Sequence, residues 1–186
     1  MALKRFVVDG FGQLELNQVA FRRDGRIEAQ CALSDDFATE PAENGMLLAV
    51  DNIRRVVKKP VAGEIYPIAL NYTTEHMYDE RTPGLKNFKL NQGEFYPRMG
   101  YLAVGDKFTT NCLCYDDGEF TDDAALKTAY DAVDTTPLYG CACELGAIKV
   151  TKTQPEDGPV LMAVKGTGAG SMPDGQFAIK FQVVVA

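Results

Sequence analysis

The sequence predicts a mainly β fold, a barrel or sandwich of short antiparallel strands with one or two short helices. Three observations carry that reading. Short runs of alternating apolar and polar residues recur along the chain, clusters of Gly, Pro, Asn and Asp separate them, and one segment alone has strong helical patterning. The densest β stretch is Glu94–Tyr115, interrupted by turn signals at Tyr96-Pro97 and Gly105-Asp106. Within it Phe108, Thr110, Cys112 and Cys114 share one parity, and Thr109, Asn111, Leu113 and Tyr115 the other. Both sets are largely apolar, so this strand is expected to be central and covered on both faces.

Leu3–Val8 has strand propensity but is cut off by Asp9-Gly10-Phe11-Gly12. Residues 1–12 therefore read as an N-terminal arm and 13–186 as one β-rich domain, with a subdivision near 120–137 left open. Hydrogen-bond accounting leaves the arm two choices, the closing strand at home or another chain; the expectation is that it pairs outside its own barrel. Leu14–Leu33 reads as a β-hairpin turning at Asp24-Gly25, with a bulge near Asn17-Gln18 to absorb a shift of apolar phase. Cys31 falls on the apolar parity and reads as a small core residue.

Glu28–Asp51 carries six acidic residues and no basic ones, with a loop at Ser34–Gly45; it reads as a solvated acidic surface. Met46–Val50 and Arg55–Val57 are expected as two strands joined through Asp51-Asn52. The cluster Arg54, Arg55, Lys58 and Lys59 is too small for a nucleic-acid footprint and suits a solvated edge or a salt-bridging contact. Glu64–Tyr72 is a further strand, Tyr72–Arg81 a polar helical turn, and Thr82-Pro83-Gly84 a type II turn. Thr121–Ala132 is the best helix, with Thr121 as cap and acids in its first turn. Leu138–Val150 and Val160–Lys165 follow as strands, then a glycine-rich loop at Gly166–Gly175. In the closing strand Phe177, Ile179, Phe181, Val183 and Val185 alternate with Lys180 and Gln182.

The chain has 186 residues and a net charge of −7, which argues against nucleic acid as a partner because phosphate binding needs a basic face. No apolar run reaches the roughly 18 residues of a membrane helix, and the first residues lack a signal-peptide pattern. An odd count of five cysteines in a chain of this length points to reduced thiols.

Candidate chemistry is sparse. Cys112-Leu113-Cys114 and Cys141-Ala142-Cys143 would place four thiols on neighbouring strands, but CxC on a flat strand splays its sulfurs roughly 7 Å apart. Packing is the favoured role, zinc and disulfide or redox chemistry are the lesser alternatives, and no metal and no cofactor is expected. His76 is the only histidine, and Ser34 and Ser171 the only serines, so a Ser–His–acid triad lacks raw material. His76 beside Glu75, Asp79 and Glu80 reads as a solvated turn. Asp116, Asp117, Glu119, Asp122 and Asp123 lack EF-hand spacing and suit turns and helix caps. Gly166–Ser171 lacks the Lys-Ser/Thr of a phosphate loop.

Three blocks then resemble a known family. Asn44–Asp51, Val56–Pro60 and Ile65–Leu70 are similar in order and style to the small β-barrels of tailed-bacteriophage proteins that decorate or cement the capsid. The later block Arg81–Phe120 resembles proteins encoded near phage major capsid genes. The resemblance implies a non-catalytic virion protein, made in the host cytoplasm, that binds and stabilises an assembled shell. Its implied partners are the major capsid protein and further copies of itself, with no nucleic acid and no membrane. Contact residues expected on that reading are Phe6, Val7, Arg54, Arg55, Arg81, Tyr96 and Arg98, the arm and the two arginine-bearing turns. A ligand- or glycan-binding β module of a phage head or tail is the alternative, with Tyr66, Tyr72, Tyr78, Tyr96 and Tyr101 as its aromatics. An enzyme is least favoured, for want of a nucleophile–base pair.

Overall fold

The computed structural model describes residues 2–73, 85–165 and 172–186. Residues 74–81 of the helical turn expected over Tyr72–Arg81, the turn at 82–84, and His76, Tyr78 and Arg81 lie outside them, as do residues 166–171 of the glycine-rich loop. Among the described residues fourteen strands form two sheets, with two short α-helices. The mainly β expectation holds, and the arrangement is sandwich-like, not a closed barrel.

The first sheet contains β1 (Leu3–Arg5), β2 (Leu14–Gln18), β9 (Lys107–Thr110), β10 (Leu113–Asp116), β11 (Tyr139–Cys141), β12 (Ile148–Thr151), β13 (Val160–Ala163) and β14 (Ile179–Val185). Its order is β1-β10-β12-β11-β13-β14-β9-β2. Only Asn111-Cys112 separates β9 from β10, yet five strand intervals lie between them in the sheet. Flat, that is about 24 Å, whereas three Cα steps reach about 11 Å. The sheet must therefore roll up, brought round by its own chain.

Inside the roll lie Phe108, Leu113, Tyr115, Ile148, Val150, Leu161, Ile179, Phe181 and Val183. The 2-residue period of β14 accounts for three of them: Ile179, Phe181 and Val183 are buried, while Lys180 and Gln182 are half-exposed. Helix α2 (Asp123–Asp131) caps the roll with Leu126 and Tyr130, one turn apart on its buried face. Its cap is Asp122, which accepts from the Ala125 N–H at 2.8 Å, one residue later than the expected Thr121.

The second sheet runs β3-β8-β7-β5-β6-β4, from β3 (Ile27–Glu28), β4 (Ala32–Leu33), β5 (Leu47–Asp51), β6 (Val56–Lys58), β7 (Ile68–Asn71) and β8 (Met99–Gly100). A second apolar cluster packs Leu48, Val50, Val57, Ala69 and Met99 with Cys112, Cys114 and Ala147 of the first sheet. Strand β10 is thus the seam. Leu113 and Tyr115 face the roll and Cys112 and Cys114 face the second sheet, so this stretch is central and covered on both sides as expected. It is not one continuous strand with 107–110, because the chain breaks at Asn111-Cys112 to change places in the sheet.

Three expectations are corrected. Leu14–Leu33 is no hairpin: β2 pairs with β9 in one sheet, β3 with β8 in the other, and α1 (Ala20–Asp24) carries the chain between them. Phe21 fixes that crossing by packing on Tyr72, ring centroids 4.9 Å apart, while Asp106 accepts from the Ala20 N–H at 2.7 Å. Gly25, at φ 69, is the left-handed residue that ends this helix. The expected irregularity does appear, as a register shift between Leu16 and Gln18. Leu138–Val150 is two antiparallel strands, folded back through the turn at Cys143–Gly146. Finally, the N-terminal segment pairs at home. Strand β1 runs antiparallel to β10, Leu3 opposite Asp116 and Arg5 opposite Cys114, and the Phe6 N–H donates to the Leu113 carbonyl at 3.0 Å. The partner is β10 rather than the closing strand, and the idea that the arm pairs outside its own domain is withdrawn.

Candidate functional site

Four of the five cysteines are gathered where β1, β10, β12 and the 143–146 turn meet; Cys31 lies apart, by Asn52. Cys112 and Cys114 project from one side of β10 and are fully buried. The Arg5 guanidinium donates to Cys112 Sγ at 3.3 Å and to Glu43 at 2.5 Å. Burial still pushes the Cys112 thiol up to about 11, against the opposing pull of Arg5. Cys141 is likewise pushed up to about 11 by burial, and its S–H points to the Lys149 carbonyl at 3.9 Å.

Cys143 differs. It sits past the end of β11 in the turn, half-buried, with its sulfur 3.3 Å from Cys114 Sγ. The two sulfurs share a hydrogen bond in which either can donate; with Cys143 as the acceptor, and the Leu145 N–H also facing it, Cys143 lies below the ordinary thiol value while Cys114 is raised well above it. In its thiol form Cys143 donates to the Ala147 carbonyl at 3.2 Å. Among the described residues no group of three or more His, Cys, Asp or Glu side chains is placed to hold a metal ion. The expected packing role fits Cys31, Cys112 and Cys114, each buried in the second cluster.

A cleft of about 720 Å³ opens over this place, lined by Leu3, Val61, Glu64, Asp116, Cys143 and Lys149 among others. Lys149 lies 3.9 Å from Asp116, and Glu64 is held by Lys58 at 2.7 Å. Sequence reasoning missed this meeting of Cys114 and Cys143. The paired CxC motifs were its only signal, and a flat-strand picture separates them.

The expected contact residues do not form one surface. Phe6 is a core residue, 3% exposed and 5.3 Å from the Phe177 ring, so its place among interface candidates is corrected. Val7 is exposed, with its N–H on Asp123. Arg54 and Arg55 are exposed on the β5–β6 turn; Arg55 takes φ 59 and reaches the Gln30 carbonyl at 3.4 Å. Tyr96 and Arg98 are exposed before β8. Because Met99 pairs with Asn71 and Leu70 with Leu47, Arg98 sits at the Leu47 end of the second sheet. The Arg54 turn sits at the Asp51 end, about 15 Å away along β5. Of the proposed glycan-binding tyrosines, Tyr72 is buried and Tyr66 and Tyr101 are half-buried.

The charged stretches bind one another. Lys59 pairs with Glu40 at 2.8 Å and its N–H donates to Asp36, while Asp51 accepts from the Ile53 and Arg54 N–H groups. Asp116 and Asp122 take the turn and cap roles expected of them, accepting from the Gly118 and Ala125 N–H groups, whereas Asp117, Glu119 and Asp123 accept from the Ala2 N–H, the Lys152 N–H and the Tyr115 hydroxyl and tie separate segments together.

These features define a two-sheet, sandwich-like β protein with a rolled first sheet. No family model, curated protein or solved structure matches the chain.

Proposed function

We propose that the protein is a non-catalytic structural component of a phage virion that binds and stabilises an assembled capsid, with the major capsid protein as its partner. The supporting observation is the Asp51 end of the second sheet. Ile53 and Ile65 are 86% and 85% exposed there, and Tyr66 lies beside the Asp51 carboxylate that caps the intervening turn. Arg54 and Arg55 project from the same turn. Two isoleucines and two arginines at one sheet end make a small apolar surface with a cationic rim, the composition of a contact patch repeated at low affinity over a lattice. The N-terminal arm has no part in this reading.

The test is co-sedimentation of the purified chain with shells of the major capsid protein encoded by the same phage. Saturable binding that falls when Ile53 and Ile65 are both replaced by Asp supports the proposal. Wild-type chain that stays in the supernatant at saturating concentration removes it. The alternative of a glycan-binding module draws on the cleft, but the side chains lining it are aliphatic, acidic, basic and thiol, with none of the aromatic faces that stack on sugars.

A further inference from the structure

We propose that Cys143 is a modification site for small-molecule disulfides and that Cys114 is its resolving thiol, closing an internal Cys114–Cys143 disulfide. The two differ in access in the way such chemistry requires. Cys143 lines the open cleft, whereas Cys114 is fully buried beneath it. Cys141 lines the cleft as well, but only Cys143 has a buried thiol within reach of the product, Cys114 at 3.3 Å. Closing that gap to the bonded distance of about 2.05 Å moves one sulfur by little more than 1 Å. The movement falls on a turn instead of on the ladder, because Cys143 lies outside β11 and its turn ends at Gly146, φ 77. The depressed Cys143 thiol, polarised by the Cys114 S–H and the Leu145 N–H, supports the same assignment.

Competing pairs are less well placed. Cys112 and Cys114 point the same way from one strand, which sets their sulfurs about 7 Å apart. Cys141 turns to the Lys149 carbonyl, and Cys31 lies by Asn52.

The chemistry balances as thiol–disulfide exchange. The Cys143 thiolate attacks one sulfur of the small disulfide, the sulfur–sulfur bond breaks, and one thiolate leaves. Cys114 then gives its proton to a departing thiolate and attacks Cys143 Sγ, expelling the second. The two protein thiols lose two electrons in all, and the small disulfide is reduced to two thiols.

Oxidised glutathione supplies the probe. The full folded chain is incubated with it, quenched with acid, and read by intact mass and by peptide mapping without reduction. The expected product is lighter by two hydrogens and carries one link, Cys114 to Cys143. Cys114→Ser stops at the mixed disulfide on Cys143, Cys143→Ser gives neither product, and Cys112→Ser behaves as wild type. Wild-type chain that stays unmodified while urea-unfolded chain reacts overturns the proposal, as does a link mapped to another pair. The wild-type map decides the matter even where a variant fails to fold.

Discussion

Glu43 Oε2 accepts from two donors that are distant in sequence, the Arg5 guanidinium and the Gly12 N–H, each at 2.5 Å. One carboxylate thereby fixes both ends of the segment that leads from β1 to β2. Its side chain is 15% exposed and that of Arg5 30%, so the pair is partly desolvated and is worth more than a surface ion pair.

Glu43→Ala is therefore expected to cost about 2 kcal/mol, because it leaves the Gly12 N–H without an acceptor and the Arg5 guanidinium with only Cys112 Sγ. Glu43→Gln keeps an acceptor for Gly12 and should cost less. Urea midpoints at constant m-value measure both. Equal, negligible losses would show that water replaces the carboxylate.

Gly100 should not tolerate a side chain. A Cβ there would lie 2.6 Å from the Phe21 ring, which is itself fully buried against Tyr72. Gly100→Ala is expected to cost about 1–3 kcal/mol by overpacking. Phe21→Leu should partly relieve it, so the double variant is less destabilised than the sum of the singles. Additive losses in thermal melts would place the strain elsewhere.

Glu64 predicts an acid-sensitive step. Burial favours its neutral form, yet the Lys58 ammonium at 2.7 Å and the Tyr66 and Val61 N–H groups outweigh it, holding the carboxyl below its ordinary 4.5. A depressed folded value adds stability above the unfolded pKa and loses it as pH falls through the folded one. Glu64→Gln should thus be less stable than wild type by about 1 kcal/mol near neutrality. The gap should close as the pH falls below the ordinary 4.5 and on through the lower folded value. A difference in melting temperature that stays constant from pH 7 to 3 would contradict the assignment.

What was legible in the sequence was local. The alternation of Ile179, Phe181 and Val183, the β5–β6 pair around Asp51, and the helix after Thr121 all follow from period and turn chemistry within a few residues. Asp24-Gly25 misled because a left-handed glycine ends a short helix as readily as it turns a hairpin. The break at Asn111-Cys112 was hidden for a different reason. Both sides of it are apolar, and only the long-range order of the rolled sheet assigns them to separate strands. The Cys114–Cys143 contact depends on that same order, joining residues 29 apart across β12, so neither CxC motif announces it alone.

The last prediction concerns the N-terminal segment, which an outward-reaching arm would let go without harm. Here it covers β10, and that strand would otherwise become an unpaired apolar edge. Phe6 is 3% exposed, packs on Phe177 and belongs to the main core, while Arg5 brings its guanidinium to Glu43 and Cys112. Replacing Phe6 by Ala should alone remove about 3–4 kcal/mol, a large share of the 5–15 kcal/mol typical of a domain. Val7 next to it is 78% exposed, and Val7→Ala should stay within about 0.5 kcal/mol of wild type. Deleting residues 1–8 should accordingly give a chain that melts far below wild type or aggregates, because the ladder, the core ring and the partly buried charge pair go together. Circular dichroism melts and light scattering on the three variants decide it. A truncated chain that remains monomeric and melts with the wild type would mean that β10 is stable as an edge, and that Phe6 fills space the core can close without it.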